Sequence, residues 1–407
     1  MKIGFVSIYP PKGALYALAG GVASYTKNLA NSVPLSENDY LLIFANKIGG
    51  KTEMYSEDGI RILRCWDKNA LYPIQLIWNI FKERKNIDVI HIQHEYFLYG
   101  NALSASVFPL FLLLLKILRR PIIVTLHGII PLLEFNKDFM EQNRIKGNVS
   151  ILRYGIRFIT KLISSFSNII IVHDKHLKNA LVDNYNVDTD KILVVPHGIE
   201  EKTYVIPKKE AKRLLGVDDK NILLFFGYIS GYKGLETLIS SFEFLDNDMF
   251  LLFIAGGGHP RMKDNQNYNM YINYLKDMAR RISDNIIFTG FVPEDKIPFY
   301  FSAADLVILP YTIGMSSSGP LTFAITYNCP FLVSEAFKES IAMKEIIFKR
   351  DPVDLAKKIE EVFSNAELHR RLLDYGKALK DEMGWSKIGE KTYATYLNLY
   401  RPNKLRD

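Results

Sequence analysis

Residues 224–235 read LFFGYISGYKGL, and this stretch passes from a buried strand to a helix through a glycine-rich turn. The apolar run ends before Gly227, and apolar residues from Leu235 onward recur at helical spacing. Glycine lets a backbone approach a ligand closely, and the compact ammonium of Lys233 suits a phosphate. Taken alone, the stretch fits an ordinary strand-to-helix turn with a surface lysine equally well.

Two further apolar runs end in loops that suit an anion. Three glycines at 256–258 follow the run 250–255, and a small polar loop at 315–319 precedes a helix with Pro320 in its first turn. Ser318 is placed to cap that helix, whose N-terminus offers free N–H groups and a partial positive charge. Ligands of parallel sheets bind beyond the carboxyl ends of the strands. The three loops together therefore predict a diphosphate site.

Strand-like runs alternate with helix-like segments along the whole chain. Many of the runs are continuously apolar, which is typical of parallel strands covered on both faces. The pattern predicts an α/β protein with doubly wound sheets. It pauses between His197 and about Val217, where we place a domain boundary. The predicted strands are 3–7, 40–45, 60–63, 88–92, 122–126, 169–172, 192–195, 222–226, 250–255, 286–288, 306–309 and 331–334.

Composition narrows the class of protein. The chain has 407 residues, 48% of them hydrophobic and 23% charged, which suits a folded protein of two or three domains. Its net charge of +7 is spread along the sequence, which favours an anionic ligand or an anionic membrane surface over nucleic acid. Cys65 and Cys329 lie too far apart to indicate a disulfide framework or a metal motif.

Two apolar segments raise the question of a membrane. Residues 103–118 are the most apolar in the chain but shorter than the roughly 20 residues of a membrane span, so we predict a buried helix, with a shallow membrane contact as the alternative. Residues 150–166 carry Arg153, Arg157 and Lys161 at helical spacing. A solvated helix face is the favoured interpretation of that basic stripe, and contact with anionic lipid is the alternative.

The first half of the chain carries histidines near strand ends. We place His91 and His94 after the strand 88–92, and His127 after the strand 122–126. A histidine in such a loop can donate to a sugar hydroxyl or a phosphate, or simply be solvated. His91 and His94 have the spacing of a metal pair, but no third ligand follows suitably, so we predict no metal. Asp188 and Asp190 indicate a turn before a strand.

In combination these segments resemble the retaining GT-B glycosyltransferases, family 4 in particular, also called glycosyl transferases group 1. The resemblance covers nearly the whole chain, and the order and spacing of its motifs are specific together. The segments that carry it are 20–22 (GGV), 88–91 (DVIH), 124–128 (VTLHG), 195–199 (VPHGI), 227–234, 287–292 (IFTGFV), 303–306 with Pro310, and 384–388 (GWSKI).

The resemblance implies two Rossmann-like domains facing a cleft. Residues 1–198 would bind the acceptor, 199–384 the nucleotide sugar, and 385–407 would return to the first domain as a helix. The implied reaction moves a hexose from a UDP- or GDP-sugar to a glycan or lipid-linked glycan, with retention and without metal or other cofactor. The expected location is the cytoplasm, with peripheral contact at the inner face of an anionic membrane as an open alternative.

Site residues follow from the same resemblance. The predicted catalytic residues are His127 and Lys233. The predicted donor-binding residues are Gly227, Tyr228, Lys233, Gly256, Gly257, Gly258, Val292, Ser318, Gly319, Pro320 and Leu321. The predicted acceptor-binding residues are Gly20, Gly21, His94, Glu95, His127 and Gly128.

The chain departs from the family pattern at two places. Tyr228 stands where the family usually has an arginine beside the phosphate lysine. Met315 and Phe323 stand at the two positions of the usual Glu-x7-Glu motif, so those carboxylates are missing. Two alternatives therefore stay open at this point. One is a catalytically inactive partner of the same fold, and the other is a sugar-nucleotide 2-epimerase.

Overall fold

A computed structural model describes residues 1–14, 21–142, 145–201, 203–217, 219–258, 262, 264–314 and 318–400. Strands and helices alternate through these ranges. The strands are β1 (Lys2–Ser7), β2 (Tyr40–Asn46), β3 (Glu53–Glu57), β4 (Ile60–Trp66), β5 (Val89–His94), β6 (Ile122–Leu126), β7 (Ile169–Val172), β8 (Ile192–Val194), β9 (Asn221–Phe226), β10 (Phe250–Ala255), β11 (Ile286–Phe288), β12 (Leu306–Leu309), β13 (Phe331–Ser334) and β14 (Ile347–Phe348). The helices are α1 (Gly21–Ser32), α2 (Tyr72–Lys82), α3 (Ala102–Ser106), α4 (Phe108–Leu115), α5 (Lys137–Gln142), α6 (Val149–Phe166), α7 (Lys175–Tyr185), α8 (Lys208–Leu214), α9 (Leu235–Ser241), α10 (Gln266–Ile282), α11 (Ile297–Ala303), α12 (Gly319–Thr326), α13 (Pro352–Ser364), α14 (Ala366–Met383) and α15 (Trp385–Tyr400).

The chain divides into two compact units. Of the described residues, the first unit contains 1–198 and 385–400, and the second contains 199–314 and 318–384. The chain therefore leaves the first unit once and returns once. The two connections lie side by side, because the Ile199 N–H donates to the Met383 carbonyl at 2.9 Å and Ile199 pairs with Gly384 in an isolated bridge.

The first unit is built on an eight-stranded sheet in the order β3-β4-β2-β1-β5-β6-β7-β8. All neighbours are parallel except β3 and β4. Successive residues of β1 enter different cores, as the pleat requires. Phe5 packs with α1 and α15, whereas Val6 belongs to the core under α2, α4, α6 and α7. The returning helix α15 packs against α1, which confirms the predicted return of the C-terminal helix.

The second unit is built on a six-stranded parallel sheet in the order β11-β10-β9-β12-β13-β14. One continuous apolar core contains its central strands, which are buried along almost their whole length. Helix α9 packs against α10 and α13, and α12 packs against α14. Both units are thus Rossmann-like α/β domains, and the predicted fold class is confirmed.

Each run predicted as a strand is a strand, but some elements were missed. Strand β3 has the sequence EMYSE, which lacks an apolar run because β3 lies at the sheet edge with mostly exposed residues. Helix α8 lies in the polar stretch that we interpreted as a pause. Strand β5 continues to His94, so the placement of His91 and His94 after the strand was wrong. Asp188 and Asp190 do lie in a turn, a short 3-10 helix before β8.

The apolar stretch 103–118 is not one buried helix. It contains α3, α4 and a 3-10 turn, and Leu110, Leu113 and Ile117 are exposed on its outer side. Among the described residues, none of the helices has both the length and the apolar character needed to cross a bilayer.

Candidate active site

Lys233 lies at the carboxyl edge of the second sheet and is only 7% exposed. It ends a short 3-10 turn, Gly231–Lys233, between β9 and α9. Its ammonium donates to Tyr311 Oη at 3.0 Å, and the Tyr311 ring centroid lies 4.9 Å from the same Nζ. The lysine is therefore held inside the unit rather than displayed on its surface.

Two glycines make room for this arrangement. Gly227 has a φ of 114°, and a Cβ there would lie 2.9 Å from Lys233 Nζ and 3.4 Å from Pro320 Cγ. A Cβ on Gly256 would overlap the Gly227 carbonyl oxygen. Larger residues would push the two loops apart or displace the ammonium. The structure therefore brings together Gly227, Lys233, Gly256 and Pro320, all predicted as donor-binding residues.

Tyr311 connects the lysine to the start of α12. A 3.2 Å hydrogen bond joins Tyr311 Oη and Ser318 Oγ, and the Leu321 N–H donates to Ser318 Oγ at 3.3 Å. Ser318 is thus the N-cap of α12, and Pro320 lies in its first turn, as predicted. Sequence reasoning did not select Tyr311, although a hydroxyl two residues beyond a strand end was a signal for it.

The electrostatics of this edge favour an anionic ligand. Burial lowers the pKa of Lys233, because water no longer stabilises the ammonium. Within the described part of the chain, Lys233 forms no ion pair with a carboxylate. A buried cation without an anion is costly. A phosphate group bound here, beside the N-terminus of α12, would supply the missing charge.

The other predicted donor residues lie beside an exposed aromatic pair. The rings of Tyr228 and Phe291 stack with centroids 6.4 Å apart, and a Cβ on Gly257 would lie 3.0 Å from the Phe291 backbone nitrogen. Val292 is buried and lines a cavity of about 340 Å³ together with Phe291 and Lys296. Gly258 packs near Tyr268 instead.

The position of the second missing glutamate is filled by an aromatic cluster. Phe323 lies on α12 and contacts the rings of Phe226 and Phe301, with centroids 5.8 and 5.5 Å away. An apolar side chain suits that environment better than a carboxylate would. Met315, at the first glutamate position, lies outside the described residues, as does Gly20 of the predicted acceptor site.

In the first unit, His127 follows β6 and is buried. Gln93 Oε1 lies 2.9 Å from His127 Nε2, and His173 Nε2 lies 3.1 Å from His127 Nδ1. His173 Nδ1 in turn lies 3.1 Å from the Val195 carbonyl oxygen. Both ring nitrogens of the predicted catalytic histidine are therefore already hydrogen-bonded.

The same network continues to the returning helix. His91 Nδ1 lies 2.6 Å from Tyr396 Oη on α15, and His91 Nε2 lies 2.7 Å from Thr125 Oγ1 and 3.3 Å from the Gln93 amide. Sequence spacing gave no indication of this hydrogen-bonded network, because its members are far apart in the sequence. The network connects β5, β6 and the loop after it, the loop after β7, the residue after β8, and α15.

Proton positions in this hydrogen-bonded chain follow from its two oxygen acceptors. The Val195 carbonyl oxygen and the Gln93 side-chain oxygen can only accept, so His173 Nδ1 and His127 Nε2 carry the protons of these two contacts. Burial lowers the pKa of His91 and of His173 to about 3, and it also lowers that of His127. The imidazoles are therefore neutral near pH 7.

The remaining predicted acceptor residues that the structure describes follow β1, β5 and β6 or end β5. The His127 N–H donates to the His94 carbonyl at 2.9 Å, and the His94 ring packs on Phe108 at a centroid distance of 4.2 Å. Glu95 is exposed, and Gly128 is half-buried beside His127. Gly21 is the exposed first residue of α1. These residues lie at one edge of the first sheet, and their role in binding remains a prediction.

No three His, Cys, Asp or Glu side chains are grouped as a metal site would require, within the residues that the structure describes. A reaction without metal or other cofactor stays a prediction from the family resemblance.

Comparison with known protein families identifies the class. The family described as Glycosyltransferase Family 4 matches residues 19–203, and Glycosyl transferases group 1 matches residues 207–379. The chain belongs to the family 4 glycosyltransferases, and its solved structural neighbours share its GT-B fold.

Individual relatives agree with this assignment. An uncharacterized glycosyltransferase of Methanocaldococcus jannaschii is 24% identical over 97% of this chain and 98% of its own. The structure of sucrose-phosphate synthase from Thermosynechococcus elongatus matches with a TM-score of 0.72 and 16% identity, covering 98% of this chain and 99% of that one. Anabaena HepE, solved in complex with UDP and glucose, matches with a TM-score of 0.67 and 15% identity, over 98% and 99% of the two chains.

Proposed function

We propose that this enzyme transfers a hexose from a UDP- or GDP-sugar to a glycan or lipid-linked glycan, with retention at the anomeric carbon and without metal. The observation that carries the proposal is the buried Lys233 ammonium, which has no described carboxylate partner and lies in one hydrogen-bonded cluster with Tyr311 and the Ser318 cap. UDP bound to Anabaena HepE supports a uridine nucleotide as the first donor to test.

In the proposed reaction, the bond between the anomeric carbon and the diphosphate oxygen breaks. An acceptor hydroxyl forms the new bond on the same face, and its proton passes to the leaving diphosphate. Negative charge therefore grows on the phosphate oxygens as the bond breaks. Lys233 and the N–H groups at the start of α12 are fixed donors that would stabilise this charge. Such donors take the part that a metal ion takes in other transferases.

Tyr228 and Phe291 are the proposed neighbours of the nucleoside. Both rings are exposed, and they lie beside the glycines of the β10 loop. An aromatic surface next to a phosphate site suits a planar base, since stacking needs no particular hydrogen-bond pattern. Tyr228 would then contribute a ring where family members usually contribute a guanidinium.

The first unit would hold the acceptor. Its neutral histidine network fixes the ring of His127 without placing a formal charge beside a sugar hydroxyl. A lipid-linked acceptor would bring the enzyme to a membrane, so peripheral contact with anionic lipid is part of the same proposal.

The test is calorimetric titration of the protein with UDP and with GDP, each repeated with Lys233→Ala. We expect the wild type to bind one of them and Lys233→Ala to weaken that binding at least about 100-fold, because a charge-assisted contact to phosphate is lost inside the protein. Lys276→Ala on α10 removes a lysine from the same unit and is the matched control. Equal affinity of wild type and Lys233→Ala would refute the phosphate role.

A second variant displaces the ammonium without removing it. Gly227→Ala places a methyl group against Lys233 Nζ at a φ of 114°, whereas Gly290→Ala has a similarly positive φ of 74° but open space around its Cβ. Both changes strain the backbone, but only Gly227→Ala should weaken nucleotide binding strongly. Similar losses in both variants would mean that loop strain, and not the ammonium position, controls affinity.

A further inference from the structure

Helix α2 presents an apolar stripe to solvent. Ile74, Trp78 and Phe81 follow one another at the spacing of one helix face, and Trp78 is 61% exposed. The opposite face of the same helix is buried in the first unit through Leu76 and Ile80. A helix that covers a core normally turns polar residues outward. The outward stripe of α2 therefore needs another explanation.

Helix α4 repeats the pattern beside α2, against which it packs. Leu110 and Leu113 are exposed on α4, and Ile117, in the turn that follows, is 74% exposed. These three residues also have the spacing of one helix face, at i, i+3 and i+7. Their neighbours Phe111 and Leu112 are fully buried, so the exposed leucines are not needed to fill the core.

Helix α6 gives a third stripe and packs against α4. Ile151, Tyr154 and Phe158 are exposed at i, i+3 and i+7, with Tyr154 at 78%. The three stripes therefore lie on adjacent helices of one layer. We call this surface the three-helix face. Single exposed apolar residues are ordinary, but contiguous apolar patches on a protein surface mark interaction sites.

The charged residues within the three helices are basic. Helices α2, α4 and α6 contain no aspartate or glutamate, whereas exposed Lys82, Arg157 and Lys161 lie on them. Exposed Lys116 directly follows α4, and half-buried Glu83 directly follows α2. Lys82 Nζ lies 4.8 Å from the centre of the Trp78 ring. Long basic side chains that lie along aromatic rings can keep their charge in water while their stems cover apolar surface.

We propose that the three-helix face docks on an anionic lipid bilayer. Its apolar stripes would enter the boundary between headgroups and acyl chains, and its basic residues would contact the phosphates of the headgroups. A second copy of the chain fits this face poorly. A two-fold interface would set the same patch against itself, and basic residues would then meet basic residues with no acidic partner on the three helices.

This inference deepens the proposed function by naming the surface that meets the membrane, and it rests on that function only for the idea of a lipid-linked acceptor. The predicted basic stripe on 150–166 is one part of the surface. A shallow membrane contact was the alternative for 103–118, which contains α4. The apolar stripe of α2 was not expected from the sequence.

The test is flotation of the full chain with vesicles of phosphatidylcholine alone or of equimolar phosphatidylcholine and phosphatidylglycerol. We expect binding to the anionic vesicles, weakened by high salt, and little binding to the neutral ones. The double variant Trp78→Ser/Phe158→Ser should lower the partition coefficient at least about tenfold, because two exposed rings no longer enter the lipid. Both side chains are exposed, so circular dichroism of the variant should match that of the wild type.

The matched control is Met270→Ser/Tyr274→Ser, which removes two exposed apolar side chains from α10 in the second unit. It should bind vesicles like the wild type. The inference is overturned if the wild type does not float with anionic vesicles, or if the control loses as much binding as the test variant. It is also overturned if light scattering shows a dimer that only the test variant dissociates. Because no nucleotide is present, these outcomes are independent of whether the donor proposal holds.

Discussion

The two sheets bury different basic side chains at their carboxyl edges, a lysine in the second unit and histidines in the first. The edge of the second unit holds Lys233, a buried ammonium with no described carboxylate beside it. The edge of the first unit holds His91, His127 and His173, all buried, neutral and joined in one hydrogen-bonded chain. The first edge thus offers directional, uncharged donors and acceptors, whereas the second has a positive charge that a ligand must balance.

The difference follows from the ordinary pKa values of the two side chains. A histidine, whose pKa in water is about 6.5, becomes neutral near pH 7 with a small shift, and burial provides that shift. The pKa of a lysine in water is about 10.4, several units above neutrality, and burial lowers the pKa of Lys233 from there. Burial therefore keeps the histidines of the first unit neutral, whereas in the second unit it raises the free-energy cost of a charged Lys233.

The largest expected effect is acid destabilisation of the first unit. Burial lowers the pKa of His91, His94 and His173 to about 3. These histidines stay neutral in the folded protein while the unfolded chain takes up protons below about pH 6.5, so stability is full above that pH and falls as the pH drops. Each contributes a loss of about 2 kcal/mol at about pH 5. Urea unfolding followed by tryptophan fluorescence measures this directly, because Trp66, Trp78 and Trp385 all lie in the first unit.

A variant isolates the contribution of one imidazole. His94 packs on Phe108, and His94→Leu removes its titration, so the dependence of the fluorescence midpoint on pH should become shallower. His369→Leu, on α14 of the second unit, should leave the dependence unchanged. A midpoint that is constant between about pH 7 and about pH 5 would contradict the assignment of neutral buried histidines.

The next effect separates the two edges by function. We expect His127→Ala to lower turnover about tenfold or more while the affinity for UDP stays within about twofold, because His127 lies in the first unit, proposed to hold the acceptor, and Lys233 in the second. Lys233→Ala should lower both the affinity for UDP and the turnover, because the ammonium would bind the diphosphate and stabilise the charge that grows on it. Initial rates measure the turnover of both variants, and calorimetry measures their affinity for UDP. The control is His369→Ala, which removes a histidine from the second unit. Equal losses of turnover and affinity in His127→Ala would remove the proposed division.

The smallest effect concerns the link within the second edge. Tyr311→Phe removes the hydroxyl between Lys233 and Ser318 and leaves the ring, so UDP binding should weaken about five- to tenfold, the value of roughly one hydrogen bond. Tyr375→Phe, whose hydroxyl accepts from the Ala342 N–H elsewhere in the unit, is the control. Unchanged affinity in Tyr311→Phe would show that the ammonium is positioned by its burial alone.

The fold could be predicted from the sequence because buried parallel strands are continuous apolar runs, as at 222–226 and 250–255. Strand β3 was not predicted, because an exposed edge strand with the sequence EMYSE contains no continuous apolar run. The stretch 103–118 was misassigned for a related reason. High apolar content indicates burial, but only the packing partners decide which side of a helix is covered, and the side of α4 that carries Leu110 and Leu113 is exposed.

The candidate site was predictable in its parts and not in its connections. The loops containing Gly227, Lys233 and Ser318 were identified because each follows a strand at the same sheet edge. The burial of Lys233 depends on Tyr311, which lies 78 positions away in sequence, and no spacing rule reports such a contact. Likewise His91 meets Tyr396 across 305 positions. Local sequence patterns therefore identify candidate residues, whereas contacts between distant parts of the sequence determine how deeply those residues are buried and which groups they hydrogen-bond.

The paired connections at Ile199 and Gly384 make the second unit an insertion with adjacent ends. Because the Ile199 N–H and the Met383 carbonyl are hydrogen-bonded, the entry and exit of that unit occupy one place on its surface. A segment with adjoining ends can be exchanged between proteins as a single cassette, since the host chain has only one short gap to close. If the second unit binds the donor as proposed, the gene segment that encodes residues 199–384 could change donor specificity without changing the first unit.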